Sequence, residues 1–201
     1  MKGAVFLACA GVAVWIILQD TGPASGETNS EDGNSVVTAG DEEANFISDG
    51  YDQMKSIFTD WPSGSDPYQG IITAAAATHG VPVQILAWLL WKESRYNPAI
   101  INGTKRSSVG AMGIAQFMPA TAREELGSEA AALDPAQAIP GAARYLRRLY
   151  NRTGTWSEAL AAYNWGIGNV TRKGLTRAPA ETTDYYETIL AKANSTGSTY
   201  A

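Results

Sequence analysis

Residues 20–65 cannot build a core. They are rich in Gly, Ser, Asn, Asp and Glu and carry little periodic hydrophobicity. Such a composition buries too little apolar surface to offset the entropy of ordering the chain, so the segment reads as a flexible acidic linker. Everything that folds must then lie after it, and the chain divides into residues 1–19, the linker 20–65, a domain over 66–193 and a polar tail over 194–201. Within the linker, the spaced apolar residues Phe46, Ile47, Met54, Ile57 and Phe58 predict one short helix before Trp61 that packs on the domain.

Before the linker, residues 4–18 form a continuous apolar run after Lys2. As a helix it would span roughly 22 Å, short for a bilayer crossing and near the upper length of a signal-peptide core. Two readings are open: a retained transmembrane anchor, which is favoured, or a cleaved signal. Both send the domain to the cell envelope or periplasm. Gly22-Pro23-Ala24-Ser25 is a poor cleavage site, and Cys9 stands too near the start to be a convincing lipid-attachment residue.

The net charge of −5 conceals an asymmetry. Residues 1–65 hold two basic and ten acidic residues, whereas 66–201 hold thirteen basic and ten acidic. The domain is therefore mildly positive, which suits an anionic polymer. Its basic residues are scattered, so nucleic acid is not the expected partner. Cys9 is the only cysteine and His79 the only histidine. No intrachain disulfide or Cys-based metal cage can form, and neither a metal nor a cofactor is expected.

From Asp66 onward the texture is helical, and strand signals are almost absent. Asp66-Pro67 predicts a cap and first turn, closed by Gly80. Pro82 opens a second helix through Glu93, and Thr121–Leu126 forms a short one. Asp134-Pro135 repeats the cap signal, Pro140 interrupts, and Gly141–Arg152 continues. Trp156–Tyr163 is a further helix, ended at Asn164 and Gly166, and the last runs from about Thr183 to Ala193. The domain reads as all-α.

The second helix carries the chemistry. Val83, Leu86, Leu89 and Leu90 form an apolar stripe whose next position is Glu93. A carboxylate on a buried face is costly without a purpose or partner. Glu93 also sits near the helix C-terminus, where the macrodipole disfavours negative charge. Both effects raise its pKa, as a general acid near neutral pH requires. Taken alone, the position equally suits a structural glutamate that turns to solvent or pairs with Arg95 or a distant arginine.

The residues beyond Glu93 tip the balance. Glu93-Ser94-Arg95-Tyr96-Asn97-Pro98 resembles the first motif of the soluble lytic transglycosylase (SLT) family. The segment Gly110 to Ala122 is similar to that family's glycine- and glutamine-containing loop ending in Met-Pro-x-Thr-Ala. Ala161 to Val170 resembles its Ala-Tyr-Asn-x-Gly-x-Gly motif, and Glu181 to Tyr185 its Glu-Thr-x-x-Tyr. The four occur in family order over about residues 70–193. The segment between Pro98 and Ser108 is longer than in the shorter members, through Asn102 to Arg106, and would make a basic surface loop near the groove. Ala115 stands where many members carry methionine.

The resemblance implies a goose-type, lysozyme-like helical domain acting on peptidoglycan glycan strands. It implies Glu93 as the single catalytic acid, with Ser94, Gly113, Gln116, Tyr163, Asn164, Trp165 and Tyr185 around the substrate. Physical reasons stand beside it. Gly110 and Gly113 permit conformations and close approaches that suit a loop against a sugar chain. Gln116 offers a donor and an acceptor to acetamido or hydroxyl groups. The Tyr163 hydroxyl suits holding Glu93 or the substrate, although Asn164 alone reads as a helix terminator and Tyr185 alone as half-buried core. Trp88, Trp91 and Trp156 read as core, and Trp165, in the loop of the third motif, is the best candidate for stacking on a sugar ring.

The implied reaction cleaves the bond between N-acetylmuramic acid and N-acetylglucosamine without water and leaves a 1,6-anhydro ring. Two alternatives stand. A hydrolytic lysozyme on the same fold would need a second carboxylate such as Asp184. An inactive glycan-binding module would have no need for a buried acid. A lytic domain on an anchor and tether suits local wall opening, as part of a phage virion, a secretion or conjugation machine, or a wall-remodelling system.

Overall fold

The computed structural model describes Ala8–Cys9, Val12–Ala13 and residues 60–105, 107–195 and 199–200. The chain separates into two units, Met1–Met54 and Lys55–Ala201. In the first, β1 (Ala8–Cys9) pairs antiparallel with β2 (Val12–Ala13), Ala8 opposite Ala13. Apart from those four residues, the expected N-terminal helix, the linker up to 59 and the short helix before Trp61 fall outside the described residues. Among the described residues no helix is long and apolar enough to cross a membrane.

The second unit is helical: α1 (Gln69–His79), α2 (Val83–Ser94), α3 (Pro98–Ile101), α4 (Pro119–Leu126), α5 (Pro135–Thr153), α6 (Trp156–Trp165), α7 (Ile167–Lys173) and α8 (Ala180–Asn194). Short 3-10 turns lie at Asp66–Tyr68, Ala130–Leu133 and Leu175–Arg177. Helix α2 is the centre. Ile85, Leu86, Ala87, Leu89 and Leu90 are all fully buried, so the expected stripe is in fact an apolar helix enclosed on most sides. It packs against α1 and α8, while α5 packs on α1 and α6. Each enclosed leucine stabilises the fold by about 1.5–3 kcal/mol.

Two boundaries differ from expectation. Asp66 does not cap α1; its carboxylate accepts instead from Gln69 Nε2 (3.0 Å), inside a 3-10 turn. Pro140 does not interrupt α5, which runs unbroken from Pro135 with Asp134 capping the Ala136 N–H at 2.9 Å. Pro140 removes only the bond to the Ala136 carbonyl, one turn from the start, so the loss falls near an end. The next residue is tightly packed, since a Cβ on Gly141 would lie 2.1 Å from Leu126 Cδ2 of α4.

Candidate active site

The site begins where α2 ends. After Glu93 and Ser94 the chain turns through Arg95 (φ 53°) and Tyr96 (φ 51°), both left-handed. Such non-glycine residues persist only where surrounding contacts over-determine them. Here the Arg95 N–H closes on the Trp91 carbonyl at 2.8 Å. Ser94 is fully buried, donates to the Leu90 carbonyl (3.0 Å) and accepts from the Tyr96 N–H (3.2 Å). Tyr96 Oη donates back to the Ala87 carbonyl at 2.8 Å. The motif places Ser94 among the substrate contacts; the geometry instead commits its hydroxyl to this turn.

Glu93 itself is half-buried. Tyr185 Oη, from α8, donates to Glu93 Oε1 at 2.5 Å. Burial raises the Glu93 pKa to about 7, and the Tyr185 bond acts in the opposite direction. The Tyr185 phenol is driven well above its ordinary value by burial and by the neighbouring Glu93, so it remains a donor. One residue earlier on both helices, Lys92 Nζ pairs with Asp184 Oδ2 at 2.5 Å. The two contacts are successive rungs between α2 and α8. Lys92 holds the Asp184 carboxyl below its ordinary pKa.

The glycine-rich segment forms a tight hairpin. Met112 and Phe117 exchange backbone hydrogen bonds, each 3.0 Å. At its tip Gln116 is left-handed (φ 48°), and its Nε2 donates to the Gly113 carbonyl at 2.8 Å. Arg95, Tyr96 and Gln116 are the non-glycine residues at positive φ among those described, and all three flank the site. Gly113 permits a close approach to the protein's own backbone. Its φ is 72°, and a Cβ there would lie 1.7 Å from the Ala132 carbonyl oxygen.

Tyr163 joins hairpin to acid. Its hydroxyl donates to the Ala115 carbonyl (3.0 Å), not to Glu93 as one expectation has it. Burial chiefly, then the nearby Glu93, push its pKa well upward. Its ring packs 5.3 Å from Tyr145 and 6.3 Å from Phe117. Asn164 is still helical, because α6 continues to Trp165 before Gly166 (φ 89°) ends it. Asn164 Oδ1 accepts from Thr182 Oγ1 of α8 at 2.8 Å. Trp165 is half-buried, with Lys173 Nζ 5.0 Å from its ring centroid, so one face carries a cation.

Of the expected residues, Glu93, Tyr185, Tyr163 and the Gly113–Gln116 tip converge, and Asn164 and Trp165 come directly after Tyr163 on α6. Sequence reasoning misses the Lys92–Asp184 rung, Thr182, and Glu125. Glu125 is a buried carboxylate, bonded by Arg148 with Arg144 beyond. The adjacent pairs Lys92-Glu93 and Asp184-Tyr185 are visible in the sequence, but their pairing depends on helix register.

The Transglycosylase SLT domain family matches residues 70–185, and the chain belongs to it. A transglycosylase of Enterobacteria phage PRD1 is 39% identical over 104 residues, covering 52% of this chain and 37% of that protein. The peptidoglycan transglycosylase gp16 of Escherichia phage T7 is 35% identical over 109 residues, covering 51% and 8%. Membrane-bound lytic murein transglycosylase F of Alcanivorax borkumensis is 33% identical over 111 residues, covering 51% and 22%. The chain thus matches well under half the length of each. Among solved structures, the 70 kDa soluble lytic transglycosylase of Escherichia coli superposes with a TM-score of 0.56 at 26% identity, covering 64% of this chain and 24% of that one. An inactive mutant of Slt from Pseudomonas aeruginosa gives 0.55 at 25%, covering 65% and 24%.

Proposed function

We propose that this chain is a peptidoglycan lytic transglycosylase that cuts the β-1,4 bond between N-acetylmuramic acid and N-acetylglucosamine, with Glu93 as the single acid–base. The observation that carries the reading is the Glu93 carboxyl, with a pKa raised to about 7 and its Oε1 held by Tyr185. Half the population is protonated near neutral pH, which matches a group that must first give and then take a proton. Family membership and the names of the relatives supply the polymer.

In this reading Glu93 gives its proton to the glycosidic oxygen as the C1–O bond breaks. The muramic 2-acetamido group steadies the cation at C1. The Glu93 carboxylate then removes the proton from the same sugar's C6 hydroxyl, and O6 bonds to C1. The proton is returned, no water is consumed, and the products are a 1,6-anhydromuramyl end and a free N-acetylglucosamine end. Gln116, Asn164 and Trp165 position the strand, while Tyr163 holds the hairpin by way of Ala115. A hydrolytic lysozyme would instead need a second free carboxylate, and Asp184 is ion-paired with Lys92. The domain works in the envelope for local wall opening. The apolar run over 4–18 serves as its anchor, and a virion or another envelope-spanning assembly is the setting that the phage relatives favour.

The test is a digest of purified peptidoglycan with the full chain, read by mass spectrometry. Products with 1,6-anhydromuramyl ends are expected, and hydrated reducing ends would instead place the chain with the lysozymes. Glu93→Gln is expected to fold and to lose at least about 100-fold in activity; retained activity removes Glu93 from the role.

A further inference from the structure

The proposed cleavage chemistry does not use Glu125, yet the structure is built closely around it. The residue lies one position before the end of α4, and its side chain is only 2% exposed. Arg148 of α5 grips both carboxylate oxygens: Nη1 donates to Oε2 at 3.1 Å, and Nη2 donates to Oε1. Arg144, one turn earlier on α5, donates through Nη2 to the Glu125 backbone carbonyl and brings Nε to 3.9 Å from Oε2. Two arginines thus hold one residue by its side chain and its main chain.

Stability alone does not account for this arrangement. A buried ion pair seldom stabilises a fold more than an apolar pair of the same shape, because both charges leave water. Ala122, three residues earlier on α4, is fully buried, so Glu125 stands on the apolar face of its helix. A leucine would suit that face at no electrostatic cost. What the ion pair adds is direction: a planar guanidinium meets a planar carboxylate in one geometry, which fixes α4 against α5.

The direction is passed on toward the site. The Arg148 guanidinium lies 5.2 Å from the centroid of Tyr145. Tyr145 packs 5.3 Å from Tyr163 and 6.4 Å from Phe117. Tyr163 holds the Ala115 carbonyl, and Phe117 is bonded to Met112 across the hairpin. The hairpin runs directly into α4 through Met118. The stretch from 112 to 126 is therefore fastened at two points, by Tyr163 near its start and by Arg148 at its end. Burial chiefly, then Glu93, Tyr145 and Glu125, raise the Tyr163 pKa, so the acid and the ion pair act on one phenol.

We infer that Glu125 is a positioning residue: clamped by Arg148 and Arg144, it sets the pose of the glycine-rich hairpin and of Gln116 at its tip. The consequence for catalysis rests on the lytic reading above, whereas the hold on the hairpin does not.

Amide hydrogen exchange in the full chain tests that hold. The Met112 and Phe117 N–H groups report on the hairpin, and those of Leu89 and Leu90 on the buried helix α2. The double variant Glu125→Leu with Arg148→Met replaces the pair by apolar side chains. Its thermal midpoint is expected to equal or exceed the parent's. Its hairpin amides are expected to exchange at least about ten-fold faster, with the α2 amides unchanged. Hairpin exchange at the parental rate overturns the assignment. So does equal acceleration in hairpin and α2, which would make the pair a contribution to global stability. If the double variant does not fold, Glu125→Gln takes its place, with about three-fold faster hairpin exchange expected and the same two overturning results.

Activity supplies the other arm. The rate of anhydro-end release at saturating peptidoglycan is expected to fall about ten-fold in the folded variant. A loosened hairpin with an unaltered rate overturns the positioning role. If the hairpin loosens but the parent itself yields no anhydro ends, the hold of Glu125 on the hairpin stands and the lytic reading falls.

Discussion

A methyl group at position 113 would meet the Ala132 carbonyl oxygen at 1.7 Å and force an alanine to φ 72°. The clash is with backbone, which cannot swing aside as a flexible side chain would. Gly113→Ala is expected to lower stability by about 2–4 kcal/mol, combining overpacking with left-handed strain. A denaturant midpoint measures this, and an unshifted midpoint would show that the hairpin does not rest on the 3-10 turn. Tyr185→Phe acts differently. The hydroxyl favours the ionised carboxylate, so removing it raises the Glu93 pKa further from its ordinary value. The alkaline limb of the activity profile, where Glu93 loses its proton, is expected to move to higher pH. At the same time kcat falls by about ten-fold because the acid is less firmly placed. A lower rate with an unmoved alkaline limb would refute the proton-linked part of this account.

At the scale of elements, the site depends on how α2 lies against α8. The Lys92–Asp184 pair sits one residue before the Glu93–Tyr185 pair on each helix, so a slip that breaks one breaks the other. Asp184→Asn is expected to lower kcat by roughly ten-fold with KM little changed, and Asp184→Glu is expected to recover most of it. Failure of the glutamate to rescue would make the pair a surface contact without a positioning role. This register is where sequence reasoning stops. Caps and breakers are legible: Asp134-Pro135, Gly80 and Gly166 mark the boundaries that form. Pro140 misleads, because a proline near a helix start removes one weakly placed bond, and the close packing of Gly141 against Leu126 is not visible in the sequence. Helices α3 and α7 are short and have little periodicity, so even the Asn97-Pro98 cap before α3 does not announce a helix by itself. Glu93 is legible because its type contradicts its face. The direction of the Ser94 hydroxyl, toward the Leu90 carbonyl, is not legible, because a motif records where a residue occurs and not where its side chain points.

At the scale of the whole molecule, the role proposed for Glu93 sets catalysis and stability against each other through one carboxyl. An ordinary glutamate in the unfolded chain ionises near 4.5, whereas folding raises Glu93 to about 7. Below pH 4.5 the group is protonated in both states and contributes no difference. As pH rises from 4.5 toward 7, the unfolded chain releases this proton while the folded one retains it, so stability falls. Above 7 the folded protein holds a half-buried carboxylate, and the penalty reaches its full size, on the order of 3 kcal/mol. Glu93→Gln removes the titration yet keeps an oxygen that can accept from Tyr185. The variant is therefore expected to match the parent near pH 4 and to exceed it by about 2–3 kcal/mol at pH 8, while losing its lytic activity. Paired denaturation curves at the two pH values decide the matter. A constant difference across the range would mean that Glu93 titrates normally in the folded protein, and the case for it as an acid near neutral pH would fail at its physical root.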